Sequence, residues 1–136
     1  MNASAKCLFF VFLYCSIANA EWIEYSNPTN KLSTVTFSTS SLKRHDEIHY
    51  SVNIFTNYSL AQTSEINRRR VKFQSKSETQ FFGCEAQEFA LGDYELYQNK
   101  DANGSRTLVT QRELIWNPIA PNTLQMDLLK KFCTIR

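Results

Sequence analysis

The sequence predicts an α+β fold, an antiparallel sheet with one helix at its C-terminal end and a disulfide joining the two. Three observations carry that prediction. Apolar residues recur with a period of two through most of the chain, one stretch near the C-terminus recurs with the period of a helix, and two cysteines remain once an N-terminal leader is set aside.

The leader is the segment "MNASAKCLFFVFLYCSIANA". Lys6 precedes an apolar run from Cys7 to Tyr14, and small residues stand at Ala18 and Ala20. That is the pattern of a secretory signal with an A-x-A site, so cleavage is expected between Ala20 and Glu21. The apolar run falls short of the roughly 20 residues that span a bilayer, and no later segment approaches that length. No transmembrane segment is therefore expected in the mature chain. Cys15 follows the bulky Tyr14 where a lipoprotein signal calls for a small residue, so lipid attachment is not expected either. Removing residues 1–20 from the 136 of the whole chain leaves residues 21–136, enough for one domain and too few for two.

The strands follow in order. Trp22 to Tyr25 and Ser33 to Phe37 are short β-prone runs. In "EIHYSVNIF", Ile48, Tyr50, Val52 and Ile54 alternate with His49, Ser51 and Asn53, as a strand with one covered face requires. "RVKFQSKSETQF" places Val71, Phe73 and Phe81 on one parity with three hydroxyl residues, and Arg70, Lys72, Lys76 and Glu78 on the other; this predicts a strand wet on the charged side. Phe81 and Phe82 are adjacent and must face opposite ways. Gln87 to Leu91, Tyr94 to Gln98 and Thr107 to Thr110 complete the set, with Asn103-Gly104 as a hairpin signal between the last two.

The helix comes last. Pro121 ends what precedes it, Asn122 is placed to cap with Gln125 three positions on, and Leu124, Leu128, Leu129, Phe132 and Cys133 recur at helical spacing. Cys7 and Cys15 leave with the signal, so Cys84 and Cys133 remain, and in an oxidising compartment they most simply form one disulfide. Two free thiols are the alternative. A bond from Cys84 to Cys133 would clamp the apolar face of the helix to the covered face of the sheet.

The residues exclude several activities. The whole chain has 15 basic against 13 acidic side chains, one of the basic ones in the signal, so no nucleic-acid partner is expected. His45, in a turn, and His49, on the polar side of a strand, are the only histidines and read as surface side chains. The chain has no G-x-S-x-G, phosphate-binding glycine loop or H-E-x-x-H, so no catalytic residues, cofactor or metal site are assigned. Asn99, Asp101, Asn103 and Gly104 match the first, third, fifth and sixth positions of a calcium loop, yet Thr110 stands where its bidentate glutamate belongs, and a polar hairpin turn explains the stretch. Arg68, Arg69 and Arg70, with Lys72, form the densest basic cluster. It is read either as a solvated loop running into an edge strand or as a contact for an acidic partner.

The order of "SKSETQFFGC", "LYQNKDANG", "WNPIAPNT" and a short helix ending in cysteine resembles the surface-adhesin protein E family of Gram-negative bacteria. Cys84, Trp116, Pro118, Pro121, Thr123 and Cys133 carry the likeness, and "FSTSSLKRHDEIHYSVNIF" is similar to the family's early hairpin. The resemblance spans about Trp22 to Cys133 and implies a curved antiparallel sheet holding a C-terminal helix by a disulfide. It also implies an exported, noncatalytic cell-envelope protein. The family takes its name from an outer-membrane adhesin that engages host proteins, while many relatives are small exported proteins of no assigned role. Two readings follow. One is an adhesin-like module for a protein partner. The other is a periplasmic structural or accessory protein, acting in an assembly or as a homo-oligomer joined through sheet edges. The missing lipid-attachment signal favours the periplasm over the cell surface or the extracellular medium.

Overall fold

The computed structural model describes residues 22–25 and 32–134. The signal reading of residues 1–20 and the expected cleavage between Ala20 and Glu21 fall outside them. The strands are β1 (Trp22–Tyr25), β2 (Ser33–Ser38), β3 (Lys43–Arg44), β4 (His49–Ile66), β5 (Arg69–Gly83), β6 (Glu88–Tyr97), β7 (Arg106–Val109) and β8 (Asn117–Pro118), followed by the helix α1 (Leu124–Thr134). They form one open, antiparallel sheet in the order β1-β2-β4-β5-β6-β7, with β3 paired to β4 and β8 to β6.

The core lies under α1. Val35 and Phe37 of β2, Val52 and Ile54 of β4 and Phe82 of β5 share one face of the sheet because each stands at the period-two position its neighbours present. Met126, Leu128, Leu129 and Phe132 of α1 close over them. The Phe132 ring meets Phe37 edge-on at 5.1 Å and Phe82 at 5.3 Å, so three rings fully removed from water form the centre of the contact. Cys84 and Cys133 are bonded, joining the end of α1 to the chain just beyond β5. The α+β class and the disulfide therefore stand as read from the residues.

Thr123, not Asn122, caps the helix. Its hydroxyl accepts from the Met126 N–H at 3.3 Å and donates to the Ala120 carbonyl at 2.7 Å, while Asn122 takes a left-handed φ of 60° in the preceding turn. Asparagine tolerates that conformation better than threonine, which decides between the two.

The two strands expected over 87–91 and 94–98 are one strand. Gly92 and Asp93 form a bulge in β6 opposite Thr79, where the register moves from Glu78↔Tyr94 to Gln80↔Leu91. Glycine is required there. A Cβ on Gly92 would stand 2.7 Å from the Phe81 ring and 2.9 Å from the Thr79 carbonyl.

The covered face of β5 differs from the expectation as well. In its second half Glu78, Gln80 and Phe82 are buried, and Phe81 is on the other face, against the His45 ring at 4.8 Å. β5 takes its orientation from β4, whose Tyr50, Val52 and Ile54 lie opposite Phe82, Gln80 and Glu78. The carboxylate of Glu78 tolerates burial because Lys76 Nζ lies 3.2 Å away. The hairpin signal at Asn103-Gly104 is displaced by two residues. The reversal is made by Asp101 and Ala102, both with positive φ, and closed by a bond from the Asn103 N–H to the Lys100 carbonyl.

Among the described residues no helix covers the face opposite α1. Paired positions set Glu24, Thr36, Phe55, Ser77, Glu95 and Leu108 in one row across six strands, about 24 Å wide at the usual strand spacing.

Candidate functional site

The basic cluster is found at the tip of the hairpin joining β4 to β5. The alternation of "EIHYSVNIF" ends near Phe55, but β4 continues to Ile66, and past a register shift between Asn57 and Gln62 its only partner among the described residues is β5. Apart from Phe73, which is buried against the Tyr58 ring, the ribbon is mostly exposed on both faces and leaves no apolar alternation to read. Asn67 and Arg68 form the two-residue turn with φ of 51° and 63°, the left-handed pair that a tight hairpin demands.

This arrangement corrects the picture of a loop entering an edge strand. β5 is an interior strand between β4 and β6, and only its first residues run beyond the end of β6. Arg68, Arg69, Arg70 and Lys72 are all exposed, and among the described residues none of them forms an ion pair. Arg70 lies across from Glu65 and Lys72 across from Thr63, so one carboxylate faces four cations. Ile66, Arg69, Arg70 and Val71 also border an open cleft of about 540 Å³ with Thr107 and Leu108 of β7. Guanidinium groups beside apolar side chains suit an acidic surface with some apolar area.

A second cluster surrounds His49, which the sequence predicts as a surface side chain on the polar side of β4. Its Nδ1 lies 2.7 Å from the Asp46 carboxylate, its Nε2 is 3.5 Å from Glu88, and its ring stacks on Trp116 with centroids 4.5 Å apart. The bond to Asp46 raises the imidazole above its ordinary 6.5, against the opposing effect of burial, with Glu88 adding to the rise. The same bond, with those from the backbone N–H groups of Ile48 and His49, lowers the Asp46 carboxyl below 3.8. The only sequence hint was an aspartate three residues before a histidine; the contributions of Glu88 and Trp116 come from distant segments. The cluster fastens the start of β4 to the start of β6 and to the segment that leads through β8 into α1.

His45 Nε2 stands 3.1 Å from the Ser51 hydroxyl, a spacing seen between a base and a nucleophile. Ser51 is only 5% exposed, however, and among the described residues no carboxylate bonds the other His45 nitrogen. No group of three or more histidine, cysteine, aspartate or glutamate side chains suited to a metal occurs among the described residues. The partial calcium pattern is absorbed by the hairpin turn, where Asp101 accepts from the Asn57 amide at 2.8 Å and the Asn99 carbonyl accepts from Ser75 at 2.6 Å.

The surface-adhesin protein E family pattern matches residues 22–134. The chain belongs to the surface-adhesin protein E family. Solved structures of protein E from Haemophilus influenzae share the fold. Its crystal form II superposes with a TM-score of 0.58 at 10% identity, covering 83% of this chain and 97% of that one. Its selenomethionine form gives 0.59 at 11% identity, covering 82% and 85%. At that identity the likeness speaks for the fold alone. No curated protein sequence matches. Membership makes this an adhesin-like, exported protein, and among the described residues no helix is long and apolar enough to cross a membrane.

Proposed function

We propose that this surface-adhesin protein E family member is a noncatalytic binding module of the cell envelope that recruits a protein partner through its cationic hairpin tip. The observation that carries the reading is the set of four exposed cations, without ion-pair partners among the described residues, at the end of a ribbon that extends past the rest of the sheet. Charges so placed govern encounter with an acidic surface more than they govern stability.

The test begins with a pull-down from envelope extract and continues on the protein so captured. Changing Arg68, Arg69, Arg70 and Lys72 to glutamate should slow association strongly at low salt and weakly at high salt, with unchanged melting. Equal association rates for wild type and variant at both ionic strengths would remove the tip from the function.

The second reading, a periplasmic structural or accessory protein, draws support from the outward edges of β1 and β7, which face no other strand among the described residues and suit pairing between copies. Fractionation separates the two. Surface exposure favours the adhesin-like module, and retention in the periplasm with a concentration-dependent oligomer favours the accessory protein.

A further inference from the structure

We propose that the face of the sheet opposite α1 is a binding site for an uncharged oligosaccharide, independent of the hairpin tip. Two open troughs cross this face and share Ser77. One, of about 400 Å³, is lined by Trp22, Thr36, Phe55, Asn57 and Tyr97 among others; the second, of about 300 Å³, takes in Asn53, Thr79, Asp93 and Glu95. Trp22 is 51% exposed at one end. A sugar ring offers two chemistries, a weakly positive C–H face and a rim of hydroxyls. Aromatic planes meet the first through their negative faces, and amide and carboxylate groups meet the second as fixed donors and acceptors.

The polar groups are already held in place. Thr79 donates to Asn53 Oδ1 at 3.1 Å, Asn57 and Asp101 exchange two bonds of 2.8 and 2.9 Å, Tyr97 donates to Glu95, and Asp93 Oδ1 accepts from the Gln111 N–H at 2.7 Å. These bonds leave the Asn53 amide nitrogen, the second Asp93 oxygen and the Ser77 hydroxyl without partners among the described residues. A ligand rich in hydroxyls can satisfy all three, and little ordering remains to oppose its binding.

Charge narrows the occupant. Among the described residues no lysine or arginine lines either trough, and Arg106, paired through Tyr97 with the same face, is engaged with Glu95 at 3.5 Å. With Asp93, Glu95 and Asp101 present, a sulfated or phosphorylated polymer would be repelled. A peptide strand adds at a sheet edge, where backbone groups are free, and this face has none to offer.

The purified exported protein is titrated calorimetrically with N-acetylglucosamine and glucose tetramers, a sulfated oligosaccharide and a tetra-arginine peptide. Saturable binding of at least one uncharged tetramer is expected. It should weaken roughly tenfold or more in Trp22→Ala and in Asp93→Asn, recover in part in Trp22→Tyr, and stay unchanged when Arg68, Arg69, Arg70 and Lys72 are reversed in charge. Unaltered melting of Trp22→Ala, a change at an exposed edge residue, separates loss of binding from loss of fold. Binding of neither uncharged tetramer, binding of the arginine peptide or the sulfated sugar alone, or sugar binding indifferent to Trp22 and Asp93 would each overturn the proposal. None of these outcomes bears on the tip, whose own test uses a protein partner.

Discussion

Replacing Cys84 and Cys133 together by serine isolates what the covalent clamp contributes beyond packing. The bond closes a loop with a sequence separation of 49 residues. On the chain-entropy model a loop of that length removes about 14 cal/mol/K from the unfolded ensemble, or about 4 kcal/mol at 25 °C. That is a large part of the roughly 5–15 kcal/mol by which a domain of this size is stable. The helix should nevertheless stay docked. Met126, Leu128, Leu129 and Phe132 remain buried without the bond, each worth about 1.5–3 kcal/mol of transfer free energy. The variant is therefore expected to unfold from the same native state, with an unchanged urea dependence and a midpoint lower by about 2 M for a slope near 2 kcal/mol/M. Urea unfolding followed by far-UV circular dichroism is the assay, with thiol titration of the denatured, unreduced wild type as its companion. A midpoint lowered by less than about 0.5 M at constant slope would refute the loop-closure argument. A reduced slope would show instead that α1 leaves the sheet when the bond is gone.

Three further outcomes are expected. Because the pKa of His49 is raised by Asp46 and Glu88, its contribution to stability is complete below the unfolded value of 6.5 and fades as pH rises through the folded value; Asp46, lowered, contributes above its unfolded 3.8 and loses that as pH falls through its folded value. The protein should thus be stabilised in the mildly acid range, and thermal melts of His49→Gln should show a flatter profile from pH 5 to pH 8, whereas an unchanged profile would assign the dependence elsewhere. Gln80 is buried, and its Oε1 has no hydrogen-bond partner among the described residues, so Gln80→Leu should raise stability by about 1 kcal/mol in the same urea assay, and a loss would mean that the amide is satisfied in solution. Mass spectrometry of the exported protein should give a chain beginning at Glu21 without an acyl group, and a mass containing residues 1–20 or a lipid would contradict the signal reading.

Much of the fold was legible because its signals are local. Period two in "EIHYSVNIF", the spacing of Leu124, Leu128, Leu129 and Phe132 and the arithmetic of two remaining cysteines each need only neighbouring residues or a count, and together they lead to a sheet, a helix and the bond between them. Only the tertiary structure decided the rest. Nothing local tells β5 which parity to bury, since Phe81 and Phe82 offer an aromatic ring to either face; the choice comes from Tyr50, Val52 and Ile54 on β4. Gly92-Asp93 reads as a break until Thr79 is seen opposite it, where the extra residue becomes a bulge inside one strand. The basic cluster was visible as composition, but its place at a tip depends on β4 running on through "NYSLAQTSEI", whose pattern is held by cross-strand pairing and has no apolar period of its own. His49 gained its partners, and the open face its rows of hydroxyl, carboxylate and aromatic side chains, because strand register brings together residues tens of positions apart. Sequence determined which elements form, through interactions a few residues long; pairing between strands determined which side chains meet, and the surfaces proposed for binding are made of those meetings.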